Sequence, residues 1–132
     1  MDSEQLLRPH RKDLVIAAES AIRESRDKPE KSQLNRLVSI CSEATCTEEI
    51  ANYLLYQSSR QTRPWPKDFT KLIIDKIEAP LRGISNKLQG RSEADCDRVR
   101  IAAWRLYAVF LVRASTYAKA SQKDNGHGHA RR

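Results

Sequence analysis

The stretch Ile101–Val112 constrains this chain more than any other. It reads Ile-Ala-Ala-Trp-Arg-Leu-Tyr-Ala-Val-Phe-Leu-Val, twelve residues in which Arg105 alone is charged. A bilayer-spanning helix needs about 20 apolar residues, so this run is too short to cross a membrane. It must be buried by the rest of the chain. Cys96, Val99, Ala103, Leu106 and Phe110 recur at helical spacing, and Ala102, Val109 and Val112 widen the stripe. A helix apolar nearly all round belongs at the centre of a core. Ser92-Glu-Ala-Asp95 supplies its start, with a capping serine and acids in the first turn where the helix dipole favours them.

The segments before it are also helical. Leu14, Ala17/Ala18 and Ala21/Ile22 predict a helix from about Pro9 to Arg26, stopped by Pro29, and Met1–Leu7 is expected to fray. Leu34, Leu37/Val38 and Cys41 mark a second helix, broken by Ser42–Cys46. Thr45-Cys-Thr-Glu48 then reads as a capping box, and Ile50, Tyr53/Leu54 and Gln57 line the next helix. Leu34–Leu55 is thus expected to form an antiparallel pair. From Lys67 or Asp68 the pattern Phe69, Leu72/Ile73, Ile77, Leu81, Ile84, Leu88 stays helical across Pro80, where a kink or split is expected. Gly90 closes that segment.

Between the third and fourth helices lies the turning point of the chain, Tyr53–Phe69. It begins as helix and ends in Pro64-Trp-Pro66. Each proline disfavours helix at the residue before it, so Trp65 sits on extended chain. Two roles are open to it: a plug in the bundle, or a flat ring offered to a base or a partner protein.

The chain is therefore expected to be all-α, a compact bundle of about five helices with this loop. Residues 1–121 form the single domain, and 122–132 are expected to be a disordered basic tail holding His127 and His129. Only 4 glycines and 5 prolines interrupt 132 residues, which disfavours a many-stranded β fold. The polar, charged Met1–Leu14 does not read as a secretory signal. Three cysteines, an odd number, then predict reduced thiols in a cytoplasm. Cys41 and Cys46 lack the CxxC spacing or nearby histidine of a zinc site.

The formal charge of +7 is uneven. Residues 1–30 carry 6 basic and 7 acidic side chains, whereas residues 91–121 carry 6 basic and 3 acidic ones. A basic half attracts polyanions, nucleic acid foremost, although arginine also serves merely to solvate helices. Arg98, Arg105 and Arg113 are spaced by seven and eight, which puts three guanidinium groups near one line along a helix. No glycine-rich phosphate loop, GxSxG or HExxH occurs, and His10 has no nucleophile near it in sequence. An enzyme is not expected, nor a cofactor or metal.

Leu34-Asn-Arg-Leu-Val38, Glu48-Glu-Ile50, Tyr56-Gln57 and Arg60, with a tryptophan shortly after, resemble the small helical subunit of type III CRISPR effector complexes. The closing helix with Arg113 and Tyr117 is similar too, and the resemblance covers roughly Leu34 to Ala120. It implies a non-catalytic, RNA-binding structural subunit of an antiviral ribonucleoprotein complex. Such a subunit stacks with copies of itself and with other subunits, and contacts guide RNA and target RNA through the backbone without reading sequence. On charge and spacing, and not by motif match, the candidate contacts are Arg60, Arg63, Lys71, Lys76, Arg82, Lys87, Arg98, Arg105 and Arg113. Two alternatives stand beside this. A helical protein–protein adaptor without nucleic-acid contact would pair its arginines with Glu48, Glu49, Asp75 and Glu78. A helix-turn-helix DNA-binding regulator would use Ser42–Thr47 as its turn, but its recognition helix would open on two acids.

Overall fold

In the computed structural model, backbone is described for residues 2–130 and side chains for residues 2–122. The elements are α1 (Ser3–Leu7), a 3-10 turn (Arg8–His10), α2 (Arg11–Glu24), α3 (Lys31–Glu43), α4 (Thr47–Ser59), α5 (Lys67–Asn86) and α6 (Glu93–Ala130). The fold is all-α. The segment α1 to α2 runs with almost no break, so five helical rods make the bundle. From residue 123 onward, the expected disordered tail lies outside the described side chains.

The last helix is the centre. α6 packs chiefly on α2 and α3, and also touches α1, α4 and α5. Its starting cap forms as the sequence predicts: the Ser92 hydroxyl accepts from the Asp95 amide at 3.2 Å. Ala103, Ala108 and Ala114 of α6 are buried, as are Ala17, Ala18 and Ala21 of α2. Small side chains let two helix axes approach closely, which suits the extensive α2–α6 packing. Tyr107 is buried there too, and its hydroxyl donates to the Ile73 carbonyl of α5 at 2.8 Å. That bond ties the centre to the next layer and satisfies a polar group that burial would otherwise penalise.

Three expectations need correction. Of the segment Met1–Leu7 expected to fray, Met1 lies outside the described residues and Ser3–Leu7 forms α1. Asp2 and Gln5 make a reciprocal capping box, and Leu6 and Leu7 are buried. Burial of two leucines outweighs the shortness of the helix. The capping box before α4 is shifted by one residue. Cys46 occupies the cap position without a side-chain bond to the helix backbone, and Glu49, not Glu48, accepts from Thr45, whose amide lies at 2.8 Å and whose hydroxyl also donates. The antiparallel α3–α4 pair is not formed either. α3 lies on α6, while α4 lies on α5 and α6. The apolar faces of both helices find more surface on α6 and α5 than on each other.

Pro80 does not split α5, which runs unbroken through it with the ring buried. Gly90, at φ +84°, takes the left-handed conformation that ends the turn after α5.

His10 sits where α2 and α5 meet. It is 9% exposed, its Nε2 has no hydrogen-bond partner, and its ring faces Gly83 at 3.4 Å from where a Cβ would stand. Burial, reinforced by Lys87 and opposed by Asp13, lowers its pKa from the usual 6.5. A histidine held neutral in the fold binds its proton more readily once unfolded. Its stabilising effect is therefore complete above pH 6.5 and is lost as pH falls below that. Thermal melts at pH 7.5 and 5.5 should show a lower Tm at the acid value, and His10→Gln should flatten the difference. Glu24 and Glu49 are held below their usual range and titrate under this window, so they leave the comparison clean.

Candidate nucleic-acid interface

The candidate cations do not share one surface. Arg98, Arg105 and Arg113 are exposed along α6. At about 1.5 Å rise per residue they span roughly 22 Å of helix. Arg98 pairs with Asp95 at 2.8 Å within its own helix, an exposed contact of small value. Arg105 donates from Nε to the Ser42 hydroxyl of α3 at 3.0 Å. Arg113 lies over the Phe110 ring at 5.9 Å. None of the three meets a carboxylate from a neighbouring helix among the described residues. The Arg105 charge also reaches the buried Cys41 thiol, whose pKa burial still pushes up to about 12. Cys41 is therefore a packed, protonated thiol and an unreactive one.

On α5 the cations part ways. Lys71 lines a groove with α4, beside Ala51, Leu55 and Ile74. Lys76 lines the opposite groove with α2, where it bonds to Glu24 at 2.7 Å, so its charge is partly spent. Arg82 and Lys87 are exposed, and Lys87 stands near His10. Arg63 has φ +43°, which a non-glycine residue seldom adopts. It borders a cleft of about 930 Å³ between the end of α2 and the start of α5. Acids offset the bases there: Glu24, Asp27 and Asp68 line the same cleft as Arg26, Arg63 and Lys67.

Arg60 has company that sequence spacing did not reveal. It caps the end of α4 and donates to Gln57 Oε1 at 3.0 Å. Arg36, from α3, comes close enough for both guanidinium groups to act on the Tyr53 hydroxyl, which burial pushes up and the two cations pull back. In sequence, Arg36 is one polar residue on the solvent side of a helix, so only the folded arrangement could bring its charge near Tyr53. Trp65 is the plug: it is 0% exposed and packs on Phe69 with ring centroids 5.9 Å apart. Its indole N–H lies beside the Tyr53 hydroxyl, yet neither atom completes a hydrogen bond of good geometry. It has no face left for a base.

Among the described residues, the ion pairs are Lys76–Glu24, Arg98–Asp95 and Arg100–Asp97. Glu48, Glu49, Asp75 and Glu78, the acids an adaptor would use, take part in none of them. Also among the described residues, no group of three or more histidine, cysteine, aspartate or glutamate side chains is placed to hold a metal ion. No helix there is long and apolar enough to cross a membrane.

No protein-family model, no curated protein and no solved structure matches this chain.

Proposed function

We propose that this protein is a non-catalytic, RNA-binding structural subunit of a CRISPR ribonucleoprotein effector complex in the cytoplasm, one that stacks with copies of itself and with other subunits. It contacts the backbone of guide and target RNA without reading sequence. The observation that carries the RNA reading is the line of Arg98, Arg105 and Arg113 along α6, three exposed guanidinium groups that meet no acid from a neighbouring helix among the described residues. Charges presented this way bind phosphate through release of counterions, which gives salt-dependent, sequence-tolerant affinity. The CRISPR assignment rests on the resemblance in Leu34–Val38, Glu48–Ile50, Tyr56-Gln57 and Arg60.

Fluorescence anisotropy of labelled single-stranded and duplex RNA, titrated with salt, tests it. The expected result is binding indifferent to sequence, with log K falling linearly against log salt. No binding at low salt and high protein concentration would sink the RNA reading.

One observation favours the adaptor as a second reading. Leu55, 55% exposed, rims the α4–α5 groove with Ala51 and Ile74. Mutation of Leu55 that abolishes capture of a protein partner, together with indifference to RNA, would prefer it. The DNA-binding reading is third, because Glu48 and Glu49 stand exposed in the first turn of α4, where they repel phosphate.

A further inference from the structure

We propose that Tyr56, with Arg60, forms a stacking site for an unpaired RNA nucleotide. The inference rests on the RNA reading above and adds to it. Backbone contact alone is blind to whether bases are paired, and this site is not.

The site is built on α4. Tyr53, Tyr56, Gln57 and Arg60 fall at helical spacing within two turns, so they share one face of α4. Tyr53 turns inward against Trp65, and Tyr56 stays out, 62% exposed. Arg60 is steadied one turn on by its bond to Gln57. Arg60 pairs with no carboxylate among the described residues.

The other exposed large apolar side chains lack this combination. Tyr117 is 51% exposed, but its hydroxyl donates to Glu19, which raises the phenol pKa to about 12. A phosphate approaching that ring meets a carboxylate. Leu55 and Ile16 carry no π face. Tyr56 is thus the place where an open aromatic ring and an unpaired cation, Arg60, coincide among the described residues. Stacking on an aromatic ring with cations on the flanking phosphates is how proteins hold single strands, and it tolerates any base. A paired base has both faces covered by its neighbours, so the ligand is an unpaired nucleotide within a phosphodiester chain.

The test uses the full chain, a labelled oligouridylate and a labelled RNA duplex of the same length, read by anisotropy. Four proteins are compared: wild type, Tyr56→Ala, Tyr56→Phe and Arg60→Glu. Tyr56→Ala should weaken oligouridylate binding about tenfold and leave duplex binding within about twofold. Tyr56→Phe should keep wild-type affinity, because the ring and not the hydroxyl does the stacking. Arg60→Glu should weaken both ligands. If Arg60→Glu weakens both and Tyr56→Ala changes neither, the backbone reading stands and the stacking site is overturned. If the wild type binds neither RNA at low salt, both fall. Equal weakening of both ligands in Tyr56→Ala would also overturn the site, since stacking cannot act on a closed duplex.

Discussion

Trp65→Ala should lower the melting temperature by about 10–15 °C. The indole is wholly buried in the connection between α4 and α5 and rests on Phe69, at the head of α5. Truncating a buried tryptophan costs about 3–5 kcal/mol, as forfeited transfer energy plus an unfilled cavity. Each kcal/mol moves the melting point of a domain this size by about 3–4 °C. Trp65→Phe is the informative partner. It gives up part of the ring but also removes the N–H that has no partner, a group that costs about 1–3 kcal/mol when buried unpaired. The two terms oppose each other, so Trp65→Phe should melt within a few degrees of wild type. Circular dichroism at the helical minimum measures both. A Trp65→Ala protein that melts like wild type would mean the loop is not seated in the core at all.

Reversing Arg98, Arg105 and Arg113 together to glutamate should weaken RNA binding about a hundredfold at moderate salt. The slope of log K against log salt should fall by about three, near one unit for each phosphate left without its arginine. The folded state should survive, because the interactions given up lie on the surface: a pair with Asp95, a bond to Ser42 and a position over Phe110. Each exchange shifts the charge by two, so three take the formal charge from +7 to +1. A matched control reverses Arg11, Lys12 and Arg23, which are exposed on α2, and reaches the same net charge. Much weaker binding in the α6 variant than in the control assigns the effect to the stripe. Equal weakening in the two would mean that bulk charge alone attracts RNA, and that RNA does not lie along α6.

Much of the fold was legible because periodicity and caps are local. The apolar run Ile101–Val112, the Ser92 cap and the glycine at 90 each depend on residues within a turn or two, and each stands where the pattern puts it. What was not legible depended on competition between distant surfaces. α1 exists because Leu6 and Leu7 find a core that five residues of sequence cannot advertise. The expected α3–α4 pair gives way because both apolar faces are claimed by other helices. The Thr45 box slips to Glu49 because the same motif can be satisfied one residue on. The candidate interface follows the same division. The α6 arginine line was readable as spacing. The reach of the Arg36 charge to Tyr53 was not, since it depends on how α3 and α4 are each set against other helices. Trp65 had two open roles until burial decided between them, and the exposed ring one turn from Arg60 is Tyr56 instead.

The order of the helices along the chain has a consequence for biosynthesis. The helix on which the other elements converge is the one the ribosome makes after them. Translation at about 5–20 residues per second takes roughly 2–8 s to deliver the 38 residues of α6. Through that interval the leucines and alanines of α2 and α3 have emerged without their principal partner. The nascent chain therefore waits in a sticky, partly collapsed form, and completion of α6 acts as the trigger that closes the domain. Slow codons within α6 would lengthen that exposure, and holding chaperones would be most needed there.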